Sequence, residues 1–319
     1  MDDGADEAAA QRSSWRRTAF STLLAGALVG AFAWALAGKW DEIVVRLREQ
    51  HPAVVLSGLG LCLAAVAMSF LIWRGTMTVL GSRVPLLTGA RMFFVGQLGK
   101  YLPGSVWPVV AQMRMGRDAG LARARIALAF LLTLGMSVLW GLVIGLSALP
   151  ALLHKEGNAA ASLLLVVPVV LVLLVPRVIN SLLTRALRLL RRGPLDAPIA
   201  GRDIVRGSLW TLVYFVVQGS HVWVLAMGLG ADPVSSFPVA IGGFAIAFAL
   251  GPLLVVLPAG AGVREAVLVV LLATVLPTTD AVAVALTSRG LLMVTDGLFA
   301  AVSAAAPRVL PVIMKDPRG

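Results

Sequence analysis

Arg91-Met-Phe-Phe-Val-Gly-Gln-Leu-Gly-Lys-Tyr-Leu-Pro-Gly-Ser-Val-Trp-Pro108 and Leu257-Pro-Ala-Gly-Ala-Gly-Val-Arg-Glu265 are apolar stretches interrupted by Pro and Gly and seeded with charge. Each interruption frees backbone N–H and C=O groups. Inside a bilayer such groups are tolerated only against protein or a wet cavity. Both stretches therefore read as re-entrant hairpins, over residues 85–113 and 237–276, bent at Pro103-Gly104 and near Gly260.

The surrounding chain is a membrane protein by composition. Of 319 residues, 59% are hydrophobic and only 13% charged, against about 45–50% and about 25% in a soluble domain. A single soluble core could not hide that apolar surface. The net charge of +11 then marks cytoplasmic loops and contact with anionic lipid rather than nucleic acid. The lone cysteine, Cys62, lies in an apolar run and forms no intrachain disulfide.

Six stretches are long enough to span: 19–38, 53–73, 126–149, 160–180, 207–229 and 282–305. Ala35-Leu36-Ala37 resembles a signal-peptidase site, but the first stretch exceeds the usual signal length, and it reads as an uncleaved anchor. The segment 39–49 is charge-balanced and suits an amphipathic surface helix with Trp40 at the interface. Seven arginines lie in 177–206 and four in 114–125, so these loops read as cytoplasmic, with both termini, in an inner (cell) membrane. Residues 237–257 are also long enough to cross alone, the weak point of this topology. The expected organisation is a disordered tail (1–17), a first membrane repeat (18–150), a second, inverted one (151–306) and a tail (307–319).

The repeat rests on Gly96, Leu98, Leu102 and Pro103, which recur 155 residues later as Gly251, Leu253, Leu257 and Pro258. Chance accounts equally for four common residues. The shared order is stronger: two spans, a broken hairpin, one span. Three crossings per half invert the second half. Inverted repeats with broken helices near the midplane are typical of transporters. The expected fold class is thus an all-α polytopic membrane protein of about six spanning helices and two opposed re-entrant hairpins.

Charges inside apolar segments mark sites of function. They are Arg91, Lys100, Arg264, Glu265, Arg289 and Asp296. Arg289 and Asp296 are seven apart and share a helix face, about 10 Å from each other. They fit either neutralising partners in the bundle or the lining of a basic cavity for an anionic lipid head group. Arg suits phosphate through its planar fork, and Arg264 follows the Gly260-Ala261-Gly262 bend, where helix N–H groups could assist. Glu265 fits a first-turn acid or a partner for Arg264. Proton coupling by Glu265 or Asp296 is a further option. Gln97, Tyr101, Ser105, Trp107 and Gln112 gather at the first bend, where Tyr101 and Trp107 fit interfacial anchoring as well as substrate contact. His221 reads as a satisfied core histidine. Three scattered His and one Cys argue against a metal site, and no cofactor motif is present.

The two quoted elements together resemble the transmembrane region of lysylphosphatidylglycerol synthases, in which a Gly-Lys-Tyr-x-Pro-Gly element precedes a Pro-Gly-Gly-x-Gly-x-Arg-Glu element. The likeness covers about residues 15–310. Ala259 stands where the family often has Gly. The resemblance implies lipid translocation, with Lys100, Tyr101, Pro103, Gly104, Arg264 and Glu265 at matching positions. Full-length synthases also carry a cytosolic aminoacyltransferase domain, so the expectation here is a stand-alone member without it and without synthase activity.

The resulting expectation is a translocase for an anionic, aminoacylated or polyprenyl-phosphate lipid. Its substrate-binding set is Arg91, Gln97, Lys100, Tyr101, Pro103, Gly104, Trp107, Gly260, Gly262, Arg264, Glu265, Arg289 and Asp296. Expected partners are anionic membrane lipids, a separate lipid-modifying enzyme and a second copy of the chain. The alternatives are a non-transporting scaffold for a membrane glycosyltransferase or lipid synthase, and an intramembrane transferase using Glu265 or Asp296.

Overall fold

The computed structural model describes residues 40–102, 106–151, 166–189, 198–251 and 262–305. The first expected span (19–38), both tails, Pro103, Gly104 and Gly260 lie outside the described residues. Eleven α-helices are described and no strand. They are α1 (Trp40–Glu49), α2 (Pro52–Val79), α3 (Leu86–Gln97), α4 (Trp107–Asp118), α5 (Arg123–Gly145), α6 (Val166–Leu173), α7 (Pro176–Leu189), α8 (Gly201–Gly228), α9 (Pro233–Leu250), α10 (Val263–Leu272) and α11 (Thr278–Ala305).

Among the described residues, five helical segments are long and apolar enough to cross a membrane: Pro52–Val79, Arg123–Ala151, Gly201–Gly228, Pro233–Leu250 and Thr278–Ala305. A sixth candidate is a pair, Val167–Leu173 and Pro176–Arg185, bent by 65°. This multi-pass membrane protein is therefore all-helical, with one spanning candidate beyond the sequence reading. Residues 237–250, assigned there to the second hairpin, belong to one unbroken 18-residue helix, Pro233–Leu250. The Asp232 carboxylate caps it by accepting from Ser235 N–H at 2.8 Å, and Pro233 sits in its first turn, where a missing N–H costs nothing. Pro238 also falls early in the helix, and the carbonyl it would orphan belongs to Val234, which is strongly exposed. Gly242 and Gly243 do not break the helix; they let it approach its neighbours.

Within the described part of the expected span 160–180, the helix is bent. Pro176 cannot continue α6, so a second helix starts there at a sharp angle. In α7, Ile179, Leu183 and Leu187 bury at i, i+4 and i+8, while Arg177, Arg185 and Arg188 are exposed. Part of the expected basic loop is thus an amphipathic helix whose apolar face packs on the protein and whose arginines face outward. Asn180 ties it back, accepting from Ile199 N–H at 2.8 Å and donating to the Ile199 carbonyl at 3.0 Å.

The amphipathic helix expected after the first span is α1. Ile43 is fully buried, and Arg46 pairs with Asp280 at the start of α11 at 3.1 Å. The 39–49 segment and the start of α11 are therefore neighbours.

In lipid, apolar burial does not drive helices together; close packing through small residues does. α2 and α8 run antiparallel, with Gly228 against Val54 and Gly58 against Leu225. A Cβ on Gly219 would lie 2.7 Å from Ile241 Cα of α9, and one on Gly242 would lie 2.8 Å from Ala148 N. These contacts bring backbones to distances that an alanine would forbid. Elsewhere α8 presents Val205, Leu209, Trp210, Val213 and Val216 outward, an apolar stripe suited to lipid.

The two broken stretches form two helical hairpins. In the first, α3 and α4 have 12 residues each, about 18 Å, too short for about 30 Å of hydrocarbon. Gly96 lies against Gln112, Gly99 against Pro108 and Gly116 against Met92, so the arms are antiparallel. Arg125 at the start of α5 donates to the Gly81 carbonyl just after α2 at 3.5 Å, so this hairpin begins and ends at one level. The second hairpin is unequal: α9 with 18 residues, α10 with 10.

Candidate functional site

The last helix joins the two hairpins. α11 packs on α3 and on α10, and its Arg289 and Asp296 face the space between them. Asp296 Oδ2 accepts from Lys100 Nζ at 2.6 Å and from the Tyr101 hydroxyl at 2.5 Å. Both partners come from the 3₁₀ turn that ends the first arm of hairpin one, Leu98–Tyr101. That tight turn sets two successive side chains toward one carboxylate. Seven residues back, Arg289 Nη1 meets Glu265 Oε1 at 3.2 Å, so its carboxylate partner comes from hairpin two. Arg289 also lies 5.8 Å from the Tyr101 ring centroid. One face of one helix thus braces both hairpins.

Glu265 has a second task. Its Oε2 accepts from Gly262 N–H at 2.7 Å, closing the first turn of α10. Gly262 holds φ +83° and ψ −52° there, a conformation that side-chain-bearing residues rarely adopt. Of the two roles open to Glu265, it takes that of the first-turn acid, and no Arg264–Glu265 ion pair is formed. Arg264 instead places its guanidinium 4.5 Å from the Phe244 ring centroid and 5.7 Å from that of Phe248, both on α9. Ring faces attract a cation without cancelling its charge. Among the described residues Arg264 has no carboxylate partner.

These groups surround a cavity of about 230 Å³. Its wall follows helical periodicity on five helices. α2 gives Ser69, Ile72 and Trp73; α3 gives Phe93 and Gln97; α4 gives Pro108 and Gln112; α5 gives Phe130, Thr133 and Ser137; α8 gives Tyr214 and Gln218. Lys100, Tyr101, Phe244, Phe248, Arg264, Arg289 and Asp296 complete the charged end. Three cations face two carboxylates across this region, one of which, Glu265, sits just behind Arg289. Such an excess suits one negative charge.

Residues 19–299 match the sequence family described as the lysylphosphatidylglycerol synthase TM region. The chain belongs to this family. No curated protein matches it. Membership makes it a membrane protein tied to lipid metabolism or translocation, as the two motifs implied.

Of the family's motif positions, Lys100, Tyr101 and Arg264 line the cavity, with Glu265 directly behind. Gln97, Arg289 and Asp296 also line it. Gly262 shapes the α10 N-terminus without facing the cavity. Arg91 and Trp107, expected to bind substrate, are placed away from it. Phe93 and Gln97 are i and i+4 on the cavity face of α3, and Arg91, two residues before Phe93, is rotated about 200° from them. Trp107 is 45% exposed at the start of α4, one residue off the Pro108–Gln112 face.

Tyr214, Gln218 and Trp73 were missed as cavity residues, and Gln112 was seen only as part of the first-bend cluster. A signal existed: Gln112 and Gln218 are amides in otherwise apolar helices, and Tyr214 and Gln218 are i, i+4. His221, one turn further, is fully buried. It bonds the Ser288 hydroxyl through Nε2 at 2.7 Å and the Gln218 carbonyl through Nδ1, the satisfied core histidine expected.

Proposed function

We propose that this protein moves an anionic phospholipid, an aminoacylated lipid or a polyprenyl-phosphate lipid between the leaflets of the cell membrane. It acts as a translocator and not as an enzyme. The observation that carries the reading is Arg264, a cation without a carboxylate partner among the described residues, at a cavity between two broken helical hairpins. A membrane interior punishes such a charge, so its retention points to an anion that completes it. The family's tie to lipid supports a lipid head group as that anion.

In this reading hairpin one and the second arm of hairpin two re-enter the bilayer, and the two halves rock about the cavity. Lys100 and Arg289, held by Asp296 and Glu265, set the positive rim. Arg264 takes the phosphate, and its two parallel donors suit two phosphate oxygens. The exposed Arg face of α7 lies on anionic lipid at the cytoplasmic surface, with the termini on that side.

Proteoliposomes carrying a fluorescent anionic phospholipid test this, with transbilayer movement read by quenching of the outer leaflet. The wild type is expected to speed movement. Arg264→Ala is expected to slow it by at least about tenfold, the equivalent of one charge-assisted hydrogen bond. Movement by neither protein, or equal movement by both, sinks the reading. A folded, inactive wild type that co-purifies with a lipid-modifying enzyme would favour a scaffold role.

A further inference from the structure

Behind the charged rim the cavity holds a second, uncharged set of polar groups. Gln112 is fully buried, and neither its Nε2 nor its Oε1 makes a hydrogen bond. Gln218 is 1% exposed, and its Oε1 is likewise unpartnered. Trp73 is 1% exposed, and its indole Nε1 donates to nothing. All three line the same cavity as Arg264. Buried polar atoms are normally satisfied, and each exception calls for an explanation. Three converging on one cavity have a common one, a ligand that supplies the missing partners.

The chemistry of that ligand follows from the inventory. Gln112 Nε2 and Trp73 Nε1 are donors; Gln112 Oε1 and Gln218 Oε1 are acceptors. A hydroxyl both donates and accepts, so neighbouring hydroxyls match this mixed set. An ammonium only donates and would leave the indole and the amide N–H groups unmet. A carboxylate only accepts and would leave both carbonyl oxygens unmet. Charge points the same way. One cation in excess is balanced by one phosphodiester. A head group carrying an added amine would restore the excess beside Arg264 and Lys100, because Asp296 and Glu265 already hold Lys100 and Arg289. The cavity volume of about 230 Å³ leaves room for several water-sized groups. That accommodates a head group.

We propose that the cavity selects a phosphodiester whose substituent is neutral and hydroxylated, with Arg264 on the phosphate and Gln112, Gln218 and Trp73 on the hydroxyls. This rests on the translocation reading for its source of ligand, a lipid, but it concerns binding and is tested as binding. The purified full-length protein in detergent is titrated with short-chain phosphatidylglycerol, phosphatidylethanolamine and lysyl-phosphatidylglycerol, and with free glycerol 3-phosphate. The neutral-diol lipid is expected to bind at least about tenfold more tightly than either amine-bearing lipid. It should also bind more tightly than the free phosphate, which marks a membrane rather than an aqueous source. Gln112→Met keeps length and loses both polar atoms. It should bring the lipids within about threefold of one another and leave the thermal midpoint equal or higher, since no protein bond is lost. Gln218→Met repeats the test should the first variant fail to fold.

Equal or tighter binding of an amine-bearing lipid overturns the proposal, as does selectivity unchanged in folded Gln112→Met. Tighter binding of glycerol 3-phosphate overturns the lipid source. Selective binding by a wild type that moves no lipid in vesicles upholds the proposal and sinks translocation. Movement without head-group preference, with no selective binding, does the reverse.

Discussion

The two hairpins carry matching sequence signatures and solve the same problem differently. Hairpin one is symmetric, with two 12-residue arms, and its cation, Lys100, is neutralised by Asp296. Hairpin two joins an 18-residue helix to a 10-residue one, and its Arg264 lies over two aromatic rings with no carboxylate partner among the described residues. The carboxylate beside Arg264 in sequence, Glu265, turns away to Arg289 and to the Gly262 N–H. The difference teaches that position in a motif does not set a charge's role. Lys100 is a brace, and Arg264 is the cation left available.

The strongest way to break this contrast is Asp296→Leu. It strips the partner from Lys100 and Tyr101 together, and the carboxylate side chain is only 4% exposed. Breaking a buried pair by removing one side costs about 3–5 kcal/mol; Lys100 is one-third exposed, so the low end is expected. Denaturant unfolding in micelles measures it. Hydrogen exchange should rise in residues 86–118 and not in 263–272. A uniform rise would mean that the hairpins are not held separately.

Glu265→Gln is the mirror test and is expected to cost about 2 kcal/mol. The amide oxygen still accepts from Gly262 N–H, so the loss is confined to the Arg289 pair. Exchange should now rise in 263–272. Gly262→Ala comes next, at about 1–2 kcal/mol, because the positive φ strains any Cβ. Thermal unfolding reads it, and an unchanged midpoint would show that this turn tolerates a side chain. Tyr101→Phe is the mildest, at about 1 kcal/mol for one hydrogen bond. It should leave the Lys100–Asp296 pair intact, so a double-mutant cycle between positions 100 and 296 should give the same coupling in Tyr101→Phe as in the wild type.

Reading the chain in order reached much of this. The break near Gly96–Trp107 was legible because Gly and Pro act on their own backbone. The surface helix α1 was legible because Trp40 and balanced charge follow a local pattern. Arg289 and Asp296 share a face by helical period alone, as expected. Their partners were open in the sequence, since that depends on which helices meet. The sequence left open whether 237–257 crosses alone, and Pro233–Leu250 is one unbroken helix of spanning length. A proline early in a helix and glycines at a tight crossing do not break it, and only the neighbours reveal the crossing. Arg91 and Trp107 do not line the cavity, and depth in an apolar stretch does not say which way a side chain points.

By itself, then, the sequence determined that this is an all-helical membrane protein with interrupted segments and ionisable groups inside them. Length, hydropathy and backbone chemistry are properties of the chain, and the bilayer as solvent leaves few structures that meet them. Tertiary structure alone decided which of those charges cancel. Lys100 and Asp296 lie 196 residues apart and Arg289 and Glu265 only 24 apart, yet both pairs form because α11 passes between two hairpins. Ion pairing falls off within a few ångströms, so it belongs to the packing. The same packing left Arg264, Gln112, Gln218 and Trp73 around one cavity with bonds still to make.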